Sequence, residues 1–463
     1  MLKVYNSLIN RIQETSFEKD EIKIYLCGPT VQSSPHIGHG RSAVVFDFFV
    51  RYLKHLKYKV IFVRNITDID DKIIEKSKAE GISPKELSEK VIFDFHKAYS
   101  ELNCLNPEFE PRATESIEQI ISFIELLIEK GYAYISNSGV YFEVAKYSDY
   151  FALSGRKTDE VLSGTRIDVK EDKKKPEDFA LWKFAKDGEP FWNTPWGKGR
   201  PGWHIECSAM IRDIFASGID FHCGGNDLIF PHHENELAQS SSAYEDEVFV
   251  KYWMHNGMVN LSGQKMSKSE GNIKLLNQYI DDYGGELIRF FYLRSHYRKP
   301  QEFSEDLLIE AKTTLIRLQE LLQEVDPVNS NEDTMRIFYD CMNDDLNTPK
   351  LLGEIFTTIN KLGEKSKNDQ KNIKQTIKFI FKLLGFELNF TLKIDQDKLI
   401  EFFKKYQIDF ENLNLAMEKF IHLRETYRKD KNFKAADTMR EDIYNLGINI
   451  LDGETIEWYW RSS

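Results

Sequence analysis

The sequence contains no CxxC pair, and its five cysteines are an odd number scattered along 463 residues. They stand at positions 27, 104, 207, 223 and 341. A disulfide framework does not fit this distribution in a large chain, whereas metal ligands or free thiols do. Cys104 and Cys341 lie in segments with a helical pattern, where we expect them to serve as small packing side chains.

Long apolar runs are missing as well. None approaches the ~20 residues that a membrane helix needs, and the first residues, Met1-Leu-Lys-Val-Tyr-Asn-Ser, have neither signal-peptide nor transit-peptide features. We therefore expect a cytoplasmic protein without a membrane partner, and we expect a monomer.

An excess of positive charge is also absent, since the formal net charge is −12 at pH 7. Any nucleic-acid contact must therefore use local basic patches rather than overall charge. With 41% apolar and 13% aromatic residues the chain is predicted to be globular. Its length corresponds to about three domains of ~150 residues.

The first chemical segment is Cys27-Gly-Pro-Thr-Val-Gln-Ser-Ser-Pro-His-Ile-Gly-His-Gly-Arg41. An apolar run at 22–26 predicts a strand before it, and the residues after it predict a helix. A helix N-terminus at the carboxyl end of a parallel strand binds anions. Gly38 would let the backbone approach a phosphate, and His36 and His39 would donate hydrogen bonds to it. A loop with two exposed histidines is the alternative, and this stretch alone does not decide between them.

A second strand at 60–63 has βαβ spacing from the first, which predicts a doubly wound parallel sheet. It ends in Arg64-Asn-Ile-Thr-Asp-Ile-Asp-Asp-Lys72, where Asp68, Asp70 and Asp71 reach the same sheet edge. These carboxylates either bind a substrate amine or a metal, or cap the following helix. We expect at least one of them to cap. From 132 to about 200, short strand-like pieces and a lysine-rich loop predict an insertion into this domain.

The second segment runs from 220 to 236 and reads Asp-Phe-His-Cys-Gly-Gly-Asn-Asp-Leu-Ile-Phe-Pro-His-His-Glu-Asn-Glu. Pro231 suits the first position of a helix, on which His232 and Glu236 would share one face. With two thiolates they form a donor set that suits Zn²⁺ better than Mg²⁺ or Ca²⁺. The residues themselves leave open which two of Cys27, Cys207 and Cys223 take part.

The third segment is Gly263-Gln-Lys-Met-Ser-Lys-Ser-Glu-Gly-Asn272, a polar loop between glycines. Lys265 and Lys268 on such a loop fit a clamp for polyphosphate. A solvated charged turn is the alternative.

Together and in this order, the three segments resemble the class I aminoacyl-tRNA synthetases. His36-Ile-Gly-His39 followed by Lys265-Met-Ser-Lys-Ser269 is the paired signature of that family. The strings Cys27-Gly-Pro-Thr-Val, Thr67-Asp-Ile-Asp-Asp-Lys72, Arg200-Pro-Gly-Trp-His-Ile-Glu-Cys-Ser208 and Phe230-Pro-His-His-Glu-Asn-Glu236 are similar to the cysteinyl-tRNA synthetases. The likeness continues through Asp344-Asp-Leu-Asn-Thr-Pro349 and Phe433-Lys-Ala-Ala-Asp437, and so covers essentially the whole chain.

The resemblance implies that ATP and L-cysteine form cysteinyl-adenylate, and that a cysteine tRNA then receives the cysteinyl group. It implies that His36 and His39, with the backbone at Gly38, contact the phosphates, and that Lys268 with Lys265 stabilises the departing pyrophosphate. Mg²⁺ accompanies the ATP, with no protein ligand assigned.

The resemblance also implies one Zn²⁺ per chain, with ligands at Cys27, Cys207, His232 and Glu236. Cys223 is then excluded, although the family usually carries glycine there. A metal–thiolate bond separates cysteine from serine where shape alone does so only modestly. We expect the oxygen donor Glu236 to be the loosest ligand. Further candidates for holding cysteine or adenylate are Thr67, Trp203, His222 and Asp227, with core packing as the equal alternative for Trp203.

Beyond about residue 303 the sequence predicts long helices, and the overall expectation is an α/β protein. It comprises a Rossmann-like parallel-sheet catalytic domain over 1–304 with an insertion at about 132–200, an α-helical bundle over 305–390 and a small C-terminal anticodon-binding domain over 391–463. Basic runs at 361–382 and 419–440 are expected to contact tRNA phosphates. Trp458-Tyr-Trp-Arg461 either stacks on anticodon bases or packs against the last helix.

Two rival functions remain at this stage. One is a cysteine ligase that acts on a small amine, and the other is a non-catalytic paralogue that only binds tRNA. The helical last third argues against the first rival, and the intact motifs argue against the second.

Overall fold

A computed structural model describes residues 1–17, 20–156, 172–245, 247–261, 275–388, 396–411, 413–446, 448–451 and 457–460. The strands, in chain order, are β1 (Lys3–Asn6), β2 (Arg11–Glu14), β3 (Glu21–Leu26), β4 (Lys59–Arg64), β5 (Ala133–Ile135), β6 (Gly139–Phe142), β7 (Phe179–Phe184), β8 (Gly199–Pro201), β9 (Ile219–Gly225), β10 (Val250–Asn256), β11 (Val259–Leu261), β12 (Gln301–Phe303), β13 (Ile448–Leu451) and β14 (Glu457–Trp460).

The α-helices of the described residues are α1 (Ile37–His55), α2 (Asp71–Glu80), α3 (Pro84–Glu101), α4 (Ile117–Glu129), α5 (Trp203–Phe215), α6 (Glu234–Ala243), α7 (Leu276–Tyr283), α8 (Gly285–Leu293), α9 (Glu305–Leu322), α10 (Glu332–Met342), α11 (Thr348–Asn360), α12 (Lys367–Leu383), α13 (Gln396–Lys405), α14 (Leu413–Lys429) and α15 (Phe433–Asn445).

The central sheet has four parallel strands in the order β10-β9-β3-β4. Their apolar side chains are buried on both faces, which is typical of a parallel sheet covered by helices. Tyr25 on β3 stands opposite His222 on β9, which in turn stands opposite Trp253 on β10. The carboxyl ends of all four strands therefore meet at one edge, where doubly wound folds bind their ligands.

Helix α1 connects β3 to β4 and is almost fully buried. Its apolar side chains share a core with the sheet and with α8 to α12, so the helical segment that follows the α/β part packs directly against it. Residues 133–201 contribute a separate antiparallel sheet of order β5-β6-β7-β8 with a core of its own. The predicted α/β class is confirmed.

The last described elements, α13 to α15 with the β13–β14 hairpin, enclose another small core around Phe403 and Phe420. Trp458 is half-buried against that core, so the packing alternative accounts for this tryptophan. Among the residues that the structure describes, no helix is both long and apolar enough to cross a membrane. The domain boundaries remain a prediction.

Candidate active site and metal centre

The first turn of α1 is closed by its two histidines. His36 is the N-cap, and its Nδ1 accepts a hydrogen bond from the amide of Gly38 at 3.1 Å. The Nδ1 of His39 accepts one from the amide of His36 at 3.2 Å. Two of the amides at the helix start are thereby satisfied by imidazoles rather than by the usual Ser, Thr or Glu side chains.

This arrangement fixes the tautomers. Because both Nδ1 atoms accept, a neutral ring at either position carries its proton on Nε2, where it is a donor. Burial, together with the nearby His36, lowers the pKa of His39 to about 3, so that ring is neutral at pH 7. The ring centroids are 3.8 Å apart. Two imidazoles therefore stand together at a positive helix terminus, an arrangement suited to a phosphate group.

Four predicted metal ligands come together at the carboxyl edge of the sheet. Cys27 follows β3, Cys207 lies in α5, His232 precedes α6 and Glu236 lies in α6. The two Sγ atoms are 3.8 Å apart, and Cys207 Sγ lies 3.6 Å from His232 Nε2. Glu236 Oε1 lies 3.1 Å from His232 Nε2 and 3.5 Å from Cys27 Sγ. All four ligand atoms lie within 4.8 Å of one another.

A second possible donor group shares two of these residues. It combines Cys27 and Glu236 with His222 and His233. His233 Nε2 lies 3.2 Å from Cys27 Sγ, and His222 Nε2 lies 2.8 Å from Glu236 Oε2. In this group only Cys27 supplies sulfur, which makes it less suited to a soft or borderline metal than the group with two cysteines.

Cys223 belongs to neither group. Neighbouring residues of a strand point to opposite faces of the sheet, so His222 faces the donor cluster and Cys223 faces the apolar core beside α1. Its side chain is fully buried there with Phe221 of the same strand and Met254 of β10. Cys341 is also buried in this core, and Cys104 packs against its margin.

Burial controls the protonation of the cluster. It raises the pKa of the Cys27 thiol well above the usual range, and the adjacent Cys207 raises it further. It lowers the pKa values of His232 and His233 well below the usual range. Neutral imidazoles are the form that binds metals, whereas thiols must lose their protons on binding.

The turn before α6 agrees with the expectation for Pro231. The regular helix α6 begins at Glu234, and residues 229–233 form a wide helical turn that leads directly into it. Within that turn only Phe230 departs from helical dihedral angles; it is extended, as a residue before proline tends to be. Pro231 is therefore the first residue of the helical stretch, on which His232 lies close to Glu236.

Trp203, the first residue of α5, packs against the metal-ligand candidate His232. The two rings are nearly parallel, with centroids 4.2 Å apart. On the other side of His232, its Nδ1 lies 3.0 Å from Nδ1 of His204. Both contacts hold the imidazole in one orientation, which is a frequent arrangement around metal ligands.

The sequence analysis did not single out His204, His233 or His255. His233 Nδ1 lies 2.8 Å from His255 Nε2, and His255 Nδ1 lies 2.7 Å from Ser7 Oγ. A relay of hydrogen bonds thus links Cys27, through two imidazoles, to the N-terminal hairpin. The only feature of the sequence that could have indicated these three residues is the number of histidines near Cys207, His232 and β10.

The remaining residues predicted to hold cysteine or adenylate, Thr67, His222 and Asp227, lie in three different environments. Thr67 donates from Oγ1 to buried Glu206 at 2.7 Å, next to Cys207. His222 is fully buried and stacks on Trp253. Asp227 is exposed in the turn after β9.

The three carboxylates after β4 hold the local structure together. Asp70 caps α2 through the amide of Lys72, as expected for at least one of them. Asp68 accepts hydrogen bonds from Thr114, and Asp71 pairs with Lys183 and Arg200 of the insertion sheet. These contacts favour the structural interpretation. Lys265 and Lys268 lie outside the described residues.

Comparison with known proteins adds to this geometry. Residues 13–313 match the family "tRNA synthetases class I (C) catalytic domain", and residues 337–389 match the "DALR domain". A "Cysteine--tRNA ligase" from Thermodesulfovibrio yellowstonii is 41% identical over 99% of each chain. The protein of the same name from a Wolbachia pipientis strain is 41% identical over 100% of this chain and 99% of its own.

Among solved structures, Mycobacterium tuberculosis methionyl-tRNA synthetase in complex with methionyl-adenylate superposes with a TM-score of 0.58. The match covers 79% of this chain and 89% of that one at 15% identity, and so concerns the fold alone.

Proposed function

Because the chain belongs to the cysteine–tRNA ligases of class I, enzymes that charge tRNA, we propose that it works through cysteinyl-adenylate and selects cysteine with a zinc ion. ATP, L-cysteine and a cysteine tRNA are then its substrates. The observation that carries the zinc proposal is the buried set of two thiols, one imidazole and one carboxylate, whose ligand atoms lie within 4.8 Å of one another.

These donors fit Zn²⁺ in kind and in number. Four donors from Cys, His and Glu are what a tetrahedral zinc site uses, and sulfur disfavours Mg²⁺ and Ca²⁺. When bound, Zn²⁺ supplies a soft acceptor that prefers a substrate thiolate to the hydroxyl of serine. Glu236 remains the ligand that we expect to yield most readily. Its second oxygen lies 2.8 Å from His222 Nε2, so the carboxylate would keep a buried hydrogen-bond partner on leaving the metal.

The phosphate chemistry is assigned to the start of α1. The cysteine carboxylate attacks the α-phosphorus of ATP, the bond to the β-phosphate bridge breaks and pyrophosphate leaves. The Nε2–H groups of His36 and His39 donate to phosphate oxygens as charge develops, and each Nδ1 meanwhile accepts the backbone amide that fixes its ring. Lys265 and Lys268 are proposed to stabilise pyrophosphate with Mg²⁺. A ribose hydroxyl of the tRNA then takes the cysteinyl group and AMP leaves.

The zinc assignment is tested by metal analysis of Cys207→Ser with Cys223→Ser as the matched control. Both remove one buried thiol, but only Cys207 belongs to the proposed ligand set. We expect about one zinc per chain in the wild type and in C223S, and a loss of ~10–100-fold in zinc affinity or more for C207S. Zinc retained by C207S and lost from C223S would contradict the assignment.

Selectivity and reaction type are tested by ATP–pyrophosphate exchange with cysteine and with serine, followed by charging of a cysteine tRNA transcript. We expect ATP–pyrophosphate exchange with cysteine but not with serine. We expect the exchange with cysteine to be lost after zinc removal. Exchange without charging would favour the small-amine ligase, and no exchange would favour the non-catalytic paralogue. A zinc-free enzyme that still refuses serine would refute the role proposed for the metal.

Contact with tRNA phosphates is proposed for one face of α12. The residues share i, i+4 or i, i+3 spacing, so they form one stripe: Lys367, Lys371, Lys374, Lys378 and Lys382. Within the part of the chain that the structure describes, none of the five forms an ion pair. By contrast, Lys419, Arg424 and Arg428 on α14 pair with Glu411 or Glu425.

The stripe is tested with Lys371→Gln/Lys374→Gln. The control is Lys57→Gln/Lys59→Gln, two exposed lysines at the amino end of β4, opposite the site. We expect the first pair to raise KM for tRNA and to reduce the salt dependence of binding by about 0.7–0.9 per lost phosphate contact, with exchange unchanged. Equal effects of both pairs would contradict a specific surface. Monomeric state and cytoplasmic location remain predictions.

A further inference from the structure

Helix α1 contains a buried cation just after its histidine pair. Arg41 is fully buried, and its guanidinium is surrounded by backbone carbonyls. Nη1 donates to Gly257 and Met258 at 3.0 and 2.8 Å. Nη2 donates to three further carbonyls, at His296, Tyr297 and Lys299, the shortest distance being 2.6 Å to Lys299.

Those five carbonyls belong to two segments that lead to functional parts of the chain. Residues 257–258 form the turn between β10 and β11, and β11 leads into the segment that carries Lys265 and Lys268. Residues 296–299 precede β12, the parallel partner of β11. Gly257 also donates to the carbonyl of Tyr297 at 2.7 Å, and a Cβ at Gly257 would lie 2.3 Å from the carbonyl oxygen of Lys299. The two segments are therefore in direct contact, with Arg41 joining both to α1.

We call the stretch between residues 261 and 275, which carries Lys265 and Lys268, the lysine segment. The residues that follow it also contact α1. The amide of Leu276 donates to the carbonyl of Pro35 at 2.8 Å, one residue before the cap. A Cβ at Gly40 would lie 2.9 Å from the Leu276 side chain and 2.7 Å from Tyr292 Oη. Tyr292 in turn donates to the carbonyl of Ile37 at 2.6 Å. The first two turns of α1 thus contact both flanks of the segment between residues 261 and 275.

We propose that Arg41 is a positioning residue that sets the flanks of the lysine segment relative to His36 and His39. Its planar fork reaches five carbonyls at once, which a lysine ammonium with three donors does not reproduce. Burial lowers the pKa of Arg41 to about 10, so the side chain stays cationic at neutral pH. Arg41 itself touches no substrate and acts through the geometry of the groups it holds.

The proposal rests on the proposed function and predicts a specific kinetic pattern. Arg41→Lys should lower kcat of cysteine-dependent ATP–pyrophosphate exchange by about 100-fold, since a shift near 1 Å in catalytic groups has effects of that size. KM for cysteine should stay within about twofold and the zinc content should not change, because the donor cluster lies on other elements. A fall in kcat without a change in KM is the signature of an interaction used in the transition state.

Arg289→Lys is the matched control. Arg289 is also fully buried against α1, but it contacts Asp47 and the carbonyls of Leu102 and Leu384, away from the lysine segment. We expect R289K to lower the melting temperature while kcat stays within about threefold of the wild type. The proposal is overturned if R41K keeps kcat within threefold, or if R289K loses as much kcat as R41K at a similar melting temperature.

If R41K does not fold, Gly40→Ala is the second variant that tests the proposal. Its added methyl meets Tyr292 Oη and the Leu276 side chain and so disturbs the rear flank, and no atom of the guanidinium is among its three nearest neighbours. Reduced kcat at constant KM for cysteine supports the proposal, whereas wild-type kinetics or a parallel rise in KM contradict it. Absence of exchange in the wild type would instead refute the proposed function, and the two failures are thereby distinguished.

Discussion

The buried pair of Asp47 and Arg289 should be one of the most costly contacts in the chain to break. Asp47 lies on α1 and accepts hydrogen bonds from Arg289, from Arg51 Nε at 2.8 Å and from the amide of Leu105 at 2.7 Å. Arg289 on α8 also donates to the carbonyl of Leu384 at 2.8 Å, next to the end of α12. The pair therefore joins α1 to the helical segment that follows the α/β part.

Asp47→Asn preserves the shape but removes the charge. Arg289 would remain buried with carbonyl partners only, and breaking a buried pair from one side costs about 3–5 kcal/mol. Arg51 is partly exposed, so the loss of its pairing adds at most ~1 kcal/mol. The sum is a large share of the ~5–15 kcal/mol that stabilises a typical domain.

A double-mutant cycle by chemical denaturation checks this reasoning. D47N and Arg289→Met are each expected to destabilise, and the double variant should lose less than the sum because neither charge is then left unpaired. We expect a coupling free energy of about 2–3 kcal/mol. A coupling below about 0.5 kcal/mol, or a cost of D47N below about 1 kcal/mol, would refute the pairing as described.

Three further variants have defined outcomes. Because the folded-state pKa of His39 is about 3, the folded protein does not take up the proton that the unfolded chain binds below pH ~6.5, and stability is lost as the pH falls. His39→Gln should therefore reduce the loss in unfolding free energy between pH 7 and 5 by about 2 kcal/mol, and an unchanged pH dependence would contradict a neutral ring. Thr67→Val removes the hydroxyl that donates to buried Glu206 and should cost about 1–3 kcal/mol in urea denaturation, whereas Thr67→Ser should cost much less. Gly28→Ala places a Cβ 1.6 Å from the carbonyl oxygen of Asn65, so β3 and β4 must separate beside Cys27. A fall in melting temperature together with zinc loss is expected, and wild-type values of both would refute the close approach.

The sequence predicted the elements of the α/β part well because strands and caps leave local signals. The apolar run before Cys27 and the capping residue Asp70 act over a few positions, and β3 and α2 lie where these residues indicate. Pro231 follows the same rule, because the extended Phe230 before it lets the proline be the first residue with helical dihedral angles.

Local sequence patterns did not determine which way the side chains of the site point. The choice among Cys27, Cys207 and Cys223 depended on which strand face meets α5 and α6, a long-range property that no short segment contains. The resemblance to a family made that choice. The structure then puts His222 and Cys223 on opposite faces of β9, with only the former at the donor cluster. Contacts such as His233 with Cys27 were missed because the partners are 206 positions apart.

The imidazole cap of α1 makes two tasks inseparable. A serine at position 36 would close the helix just as well and would offer nothing to a triphosphate, while an alanine would fray the first turn and shift the second ring as well. Substitution of either histidine therefore changes the start of the helix together with the phosphate contacts that we propose for the two rings.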